Sequence, residues 1–134
     1  MDKNTLKSVI SDYMAEIPKF KINSRNIRFD NALNYVLVGM RRAGKSYLLY
    51  QRMQELLAAG TKPHEMLYVN FEDERLSGMQ SGDLNLLLET HLEMYGVKPV
   101  FFLDEIQNVV GWEKWLVFRL DETWVNEGHT VKYI

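Results

Sequence analysis

Gly39, Gly44, Lys45 and Ser46 stand in the spacing G-x-x-x-x-G-K-S, after the apolar run "YVLV" and ahead of "KSYLLYQRMQELLAAG". Glycines let a backbone turn tightly enough for successive amide groups to face one anion. A helix that starts where the loop ends adds unpaired N–H groups and the positive end of its dipole. Lysine then sets a point charge on the outer phosphates, and the serine hydroxyl is placed to ligate Mg²⁺. The plain alternative is a strand-to-helix turn with a chance Lys-Ser. The bare pattern arises by chance in fewer than about one chain in a hundred, and here strand and helix flank it as a phosphate loop requires. Arg41 and Arg42, inside the loop, read either as solvated charges or as phosphate contacts.

A second group follows the apolar run "VFFL", which ends in Asp104 and Glu105. An aspartate at the carboxyl end of a strand beside the loop is placed for the Mg²⁺ shell, and the adjacent glutamate for polarising water against a γ-phosphate. Alone, such a pair is a common solvated strand end; with the phosphate loop it becomes a catalytic candidate. The Asp-x-x-Gly switch and Asn-Lys-x-Asp base reader of ordinary GTPases are absent from the sequence. The second acid favours ATP hydrolysis over phosphoryl transfer to an acceptor, so the expected ligands are ATP or ADP and Mg²⁺.

These residues need a scaffold, and the sequence supplies one. Short, continuously apolar runs at "YVLV", "MLYVNF", "VFFL" and "TVKYI" suit strands buried on both faces of a parallel sheet. Between them lie helical patterns: Leu48, Leu49, Met53, Leu56 and Leu57 in the first, closed by Gly60. The second is "SGDLNLLLETHLEMYG", with Asp83 as expected N-cap and Gly96 as stop. The third carries Trp112, Trp115, Leu116, Leu120 and Trp124 on one side, closed by Gly128; the tryptophans read as packing. Strand alternating with helix implies an α/β fold with a parallel sheet wrapped by helices. Ahead of it, Leu6, Val9, Ile10, Tyr13, Met14 and Ile17 share one helical stripe that Pro18 ends. We divide the chain into residues 1–34, a helix and connector packing on the core, and residues 35–134, the nucleotide-binding core.

Composition narrows the partners. The 134 residues carry 16 basic and 18 acidic side chains, for a net charge of -2, and no cysteine. Bulk charge therefore favours neither nucleic acid nor anionic membrane, and disulfides and thiol chemistry are excluded. Lys19, Lys21, Arg25 and Arg28 are thin support for nucleic acid without interleaved stacking aromatics. His64, His91 and His129 have no metal-ligand spacing. No run is long enough to span a bilayer and the N-terminus has no signal-peptide core, so the expected location is cytoplasmic.

The segments "GMRRAGKSYLL", "YVNFEDERL", "FFLDEIQNVVGWEKWL" and "VKYI" resemble the prokaryotic AAA-type ATPases whose longer members carry a C-terminal domain of unknown function. The resemblance implies a three-layer α/β/α P-loop NTPase fold of AAA type, with strand order 5-1-4-3-2. It places Gly39, Arg42, Ala43, Gly44, Lys45, Ser46 and Tyr47 at the nucleotide, with Lys45 and Glu105 catalytic and Ser46 and Asp104 at the metal. It sets Glu72, Asp73 and Glu74 near the outer phosphates, although a solvated acidic turn suits them equally, and Arg25, Asn26 and Ile27 near adenine. Similar proteins continue into a sensor residue, a fifth strand, a lid and an arginine. The sequence stops at Ile134, ahead of these, so it reads as an N-terminal part. Weak hydrolysis and self-association through an unpaired sheet edge are the expectations. A nucleotide-dependent switch or assembly module without turnover is the alternative, and a P-loop kinase a weaker one.

Overall fold

A computed structural model describes residues 1–20, 45–119 and 132–133. The first helix, α1 (Lys3–Glu16), begins at Asp2, whose carboxylate accepts the Asn4 N–H at 3.1 Å. Such a cap satisfies one of the donors that a helix start leaves orphaned. Leu6, Val9 and Ile10 are buried at i, i+3 and i+4. Helix α1 then tightens into a 3₁₀ turn, Ile17–Lys19, which contains Pro18. A proline has no N–H to continue the α pattern.

Helix α2 (Lys45–Ala58) buries Leu49 and Met53, one turn apart, and the chain leaves it through Gly60 at φ +105°. Strand β1 (Met66–Asn70) follows, then helix α3 (Ser81–Tyr95), strand β2 (Val100–Asp104), helix α4 (Trp112–Arg119) and the short strand β3 (Lys132–Tyr133). Asp83 is not the N-cap of α3: the helix starts two residues earlier. Asp83 sits in its first turn, where the carboxylate reaches back to the Gln80 N–H at 3.0 Å. That is the reach-back half of a capping box, so the acid still serves the helix start from inside it. Gly96 ends α3 in the left-handed conformation at φ 72°, its N–H on the Leu92 carbonyl at 2.7 Å.

Among the described residues the sheet is parallel with order β1-β2-β3. Met66 pairs with Val100 and Asn70 with Asp104, while Phe102 pairs onward with Tyr133. These are the second, third and fourth strands expected from the sequence, side by side as 2-3-4. The expected first strand at 35–38 lies outside the described residues, as do Leu120, Trp124 and Gly128 of the third helical pattern.

Side chains alternate faces along a strand, and both faces are apolar. Leu67 and Val69 of β1, with Phe101 and Leu103 of β2, join Leu6 of α1, Leu87 of α3 and Trp115 of α4 in one cluster. Met66, Tyr68 and Phe102, on the opposite face, join Leu49 and Met53 of α2 and Ile17. Helices therefore cover both sides of the sheet. Trp115 is buried, its indole N–H on Asn85 Oδ1 at 2.9 Å and its ring edge-on to Phe101, which is the packing role expected of it.

Helix α1 reaches both clusters. Its first half packs with Leu67 and Val69, and Ile17 at its end lies with Met66 and Tyr68; Tyr13 touches both groups. Since β1 is an end strand among those described, α1 passes over its outer edge. No helix of the described residues is long and apolar enough to cross a membrane.

Candidate functional site

The alternation that buries Phe102 against α2 carries Asp104, two residues on, to the same face. Tyr68 points there too from β1, and in a parallel pair it is a diagonal neighbour of Asp104, within reach for a long aromatic side chain. Helix α2 begins at Lys45, so Ser46 lies in its first turn, over the carboxyl end of β2. The Ser46 hydroxyl donates to Asp104 Oδ2 at 2.6 Å, across 58 residues of sequence. The Tyr68 hydroxyl donates to the same oxygen at 2.8 Å, and the Tyr50 hydroxyl lies 3.2 Å from that of Tyr68.

Asp104 is 0% exposed, and its second oxygen, Oδ1, is buried without a hydrogen-bond partner among the described residues. An acceptor left so costs free energy unless something fills it. Burial, followed by the charge of Asp104, pushes the Tyr68 phenol far above its usual range, and burial also raises Tyr50. Both phenols therefore stay protonated and able to donate.

Glu105 leaves the strand in the left-handed conformation, φ 57°, ψ 39°. For a residue with a side chain this costs on the order of 1 kcal/mol. The following turn holds it there: the Glu105 carbonyl accepts the Asn108 side-chain amide at 2.9 Å and the Asn108 N–H at 3.2 Å. The buried Glu105 carboxylate accepts the Gln107 side-chain amide.

Beside Glu105 opens a cleft of about 860 Å³, walled by residues 71–74 and 76–78 of the turn after β1 and by Glu105, Gln107 and Asn108. The turn is built from local side-chain hydrogen bonds of the kind that Asn and Asp favour. Asn70 Oδ1 accepts the Glu72 N–H at 2.9 Å, and Asp73 Oδ1 accepts the Arg75 N–H at 3.0 Å. Arg75 fastens the turn to α1, with Nη2 on Asp73 at 2.8 Å and Nη1 on Asp12 at 2.6 Å. The Tyr13 hydroxyl donates to Asp73 Oδ2 at 3.0 Å. The Arg75 hydrogen bonds hold the Asp73 carboxyl below its ordinary value against the opposing effect of burial.

Ser46 and Asp104 thus come together, and Glu105 stands one residue on, in the wall of the cleft that Glu72, Asp73 and Glu74 also line. Tyr47 lies on α2, 44% exposed, its ring edge-on to Tyr50. Lys45 is the first residue of α2. Gly39, Arg42, Ala43 and Gly44, with Arg25, Asn26, Ile27, Arg41 and His129, lie outside the described residues. His91 is buried with Nε2 donating to the His64 carbonyl at 2.8 Å. Among the described residues no group of three or more acidic or histidine side chains gathers as a metal site.

Sequence reasoning missed Tyr68, Tyr50, Gln107 and the Tyr13–Asp73–Arg75 clamp. Tyr68 had a usable signal: a phenol inside a buried strand needs a partner for its hydroxyl.

A hydroxyl in the first turn of a helix, set on a carboxylate at the end of a parallel strand, is the arrangement expected of a phosphate-loop serine and a strand-end aspartate. The chain is a member of the AAA domain family, whose profile matches residues 31–131. Membership implies a P-loop fold and a nucleotide ligand. The chain is 36% identical over 129 residues to an uncharacterized protein of Methanocaldococcus jannaschii, covering 94% of this chain and 28% of that protein. It is 32% identical over 111 residues to an uncharacterized protein of Haemophilus influenzae, covering 81% of this chain and 26% of that one. It therefore spans about a quarter of the length of the curated relatives it matches. No solved structure matches it significantly.

Proposed function

We propose that this chain is the P-loop core of an AAA-type ATPase, folded as a three-layer α/β/α sandwich, which binds ATP with Mg²⁺ and in the whole protein hydrolyses it. The observation that carries this reading is the Ser46–Asp104 contact with its orphaned Oδ1. The Ser46 hydroxyl donates its hydrogen bond to Asp104, which turns its oxygen lone pairs toward a cation. Oδ1 supplies a second hard oxygen, buried and unclaimed among the described residues. Mg²⁺ takes oxygen ligands, keeps several waters, and is usually held by one or two carboxylates plus phosphates. The donor set fits that ion, and when bound it would neutralise charge on the β- and γ-phosphate oxygens.

In this reading Gly39, Arg42, Ala43 and Gly44 form the loop around the phosphates, Tyr47 flanks it, and Lys45 supplies positive charge to the outer phosphates. Glu105 accepts the proton of the attacking water. That role requires its carboxylate to leave or share the Gln107 amide. The same contact supports a second reading, a nucleotide-dependent switch in which Glu105 stays engaged and turnover is absent.

Calorimetric titration of MgATP, MgADP and MgGTP, with Lys45→Ala as control, tests the binding. Adenine-selective binding that falls at least tenfold in Lys45→Ala is expected; equal binding by both proteins would remove the phosphate loop from the account. Turnover that Glu105→Gln abolishes while ATP binding persists marks the enzyme. Binding without turnover in the whole protein marks the switch.

A further inference from the structure

Tyr68 lies outside the phosphate loop and the acidic pair, yet its hydroxyl touches Asp104 at the oxygen that Ser46 also uses. Its ring needs no such contact to stay in place. Tyr13, Phe20 and Tyr50 pack edge-on around it, with ring centroids at 5.3, 5.3 and 5.6 Å. Tyr68 itself is only 2% exposed. The hydroxyl is thus an addition to a ring that is already fixed.

The proton directions follow from the groups present. An ionised carboxylate only accepts, so the single Tyr68 hydroxyl proton goes to Asp104. Tyr68 must then accept from Tyr50, 3.2 Å away. The relay runs Tyr50 to Tyr68 to Asp104, and Ser46 donates from the other side. Among the described residues two donors converge on Oδ2 and none on Oδ1, which fixes the carboxylate's rotation.

We propose that Tyr68 is a positioning residue for the metal–nucleotide site: its hydroxyl pins Asp104 Oδ2 and so reserves Oδ1 for Mg²⁺. This rests on the ATP–Mg²⁺ reading above. Tyr50 acts one step further out, by committing the Tyr68 proton to Asp104.

Tyr68→Phe keeps the ring and removes the donor. The binding constant of ATP is measured with Mg²⁺ and again in EDTA, for wild type, Tyr68→Phe and Tyr50→Phe. A hydrogen bond to a charged group is worth enough for about a tenfold effect. MgATP affinity should fall about tenfold in Tyr68→Phe and less in Tyr50→Phe, while metal-free ATP affinity changes less than about twofold. NMR of the nucleotide-free protein provides a second readout: the Tyr68 hydroxyl proton should appear as a slowly exchanging resonance that vanishes in Tyr68→Phe. Loss of affinity by the same factor in both arms, no change in either, or no such resonance overturns the positioning role. A wild type that shows the resonance but binds no MgATP overturns the ATP reading itself, and the metal-holding role with it.

Discussion

Ser46 is asked to do two things at the residue scale, and they can be separated. It donates to a buried carboxylate, and it is proposed to face a metal when nucleotide is bound. Ser46→Ala leaves Asp104 Oδ2 with the Tyr68 hydroxyl alone among the described residues. Removing one partner of a buried hydrogen bond to a charged group costs about 1–3 kcal/mol. Urea denaturation of the nucleotide-free protein should therefore show a loss in that range; unchanged stability would mean that the contact is not made without nucleotide. The sequence showed Ser46, Asp104 and Glu105 as candidates because their spacing is fixed by chemistry. It did not show Tyr68 or Gln107, because those contacts depend on which strands are neighbours and on how the backbone turns after β2. The left-handed Glu105 was equally invisible, since no glycine or asparagine marks that position.

At the scale of elements, the turn after β1 is the part whose rigidity has a definable source. Asn70 and Asp73 close its backbone, and Arg75 with Tyr13 ties it to α1. Arg75→Ala should lower stability by about 1 kcal/mol or less, because the arginine is partly exposed and solvent screens its pairs. The loss should shrink in acid. Asp73 is held below its ordinary value in the folded protein, so its contribution is complete above about pH 4 and disappears as the pH falls through the folded value. Denaturation midpoints of wild type and Arg75→Ala at pH 7 and pH 3 should converge at the lower pH. A gap that stays constant would place the effect of Arg75 in packing instead. The acidic string "FEDERL" gave no means of choosing between a site and a solvated turn. In the structure Asp73 is a structural brace, whereas Glu72 and Glu74 are exposed on the cleft wall. The end of α3 was legible from Gly96; its start was misplaced by three residues, Gln80 being the N-cap, because Asp83 works from within the first turn.

At the scale of the whole molecule, neighbouring residues of one strand belong to different clusters. Met66 packs with α2 and Leu67 with α1 and α3. Truncation to alanine at either buried position should cost about 2–5 kcal/mol. If the sheet transmits that loss, helical circular dichroism and tryptophan fluorescence will report one shared transition in both variants. Separate transitions would show the two layers unfolding independently. The layered plan was readable from apolar runs too continuous for a half-exposed sheet, and the 2-3-4 adjacency bears out part of the order that the resemblance implies. The passage of α1 over the rim of β1 was not readable, because an amphipathic stripe does not say which surface it meets. That passage matters for handling the protein. A strand rim stripped of its cover offers a row of free backbone donors and acceptors to any other chain. Trimming residues 1–20 as a dispensable leader should therefore give aggregates that grow with concentration, before any question of catalysis arises; a trimmed protein that stays monodisperse in light scattering would show that β1 needs no such guard.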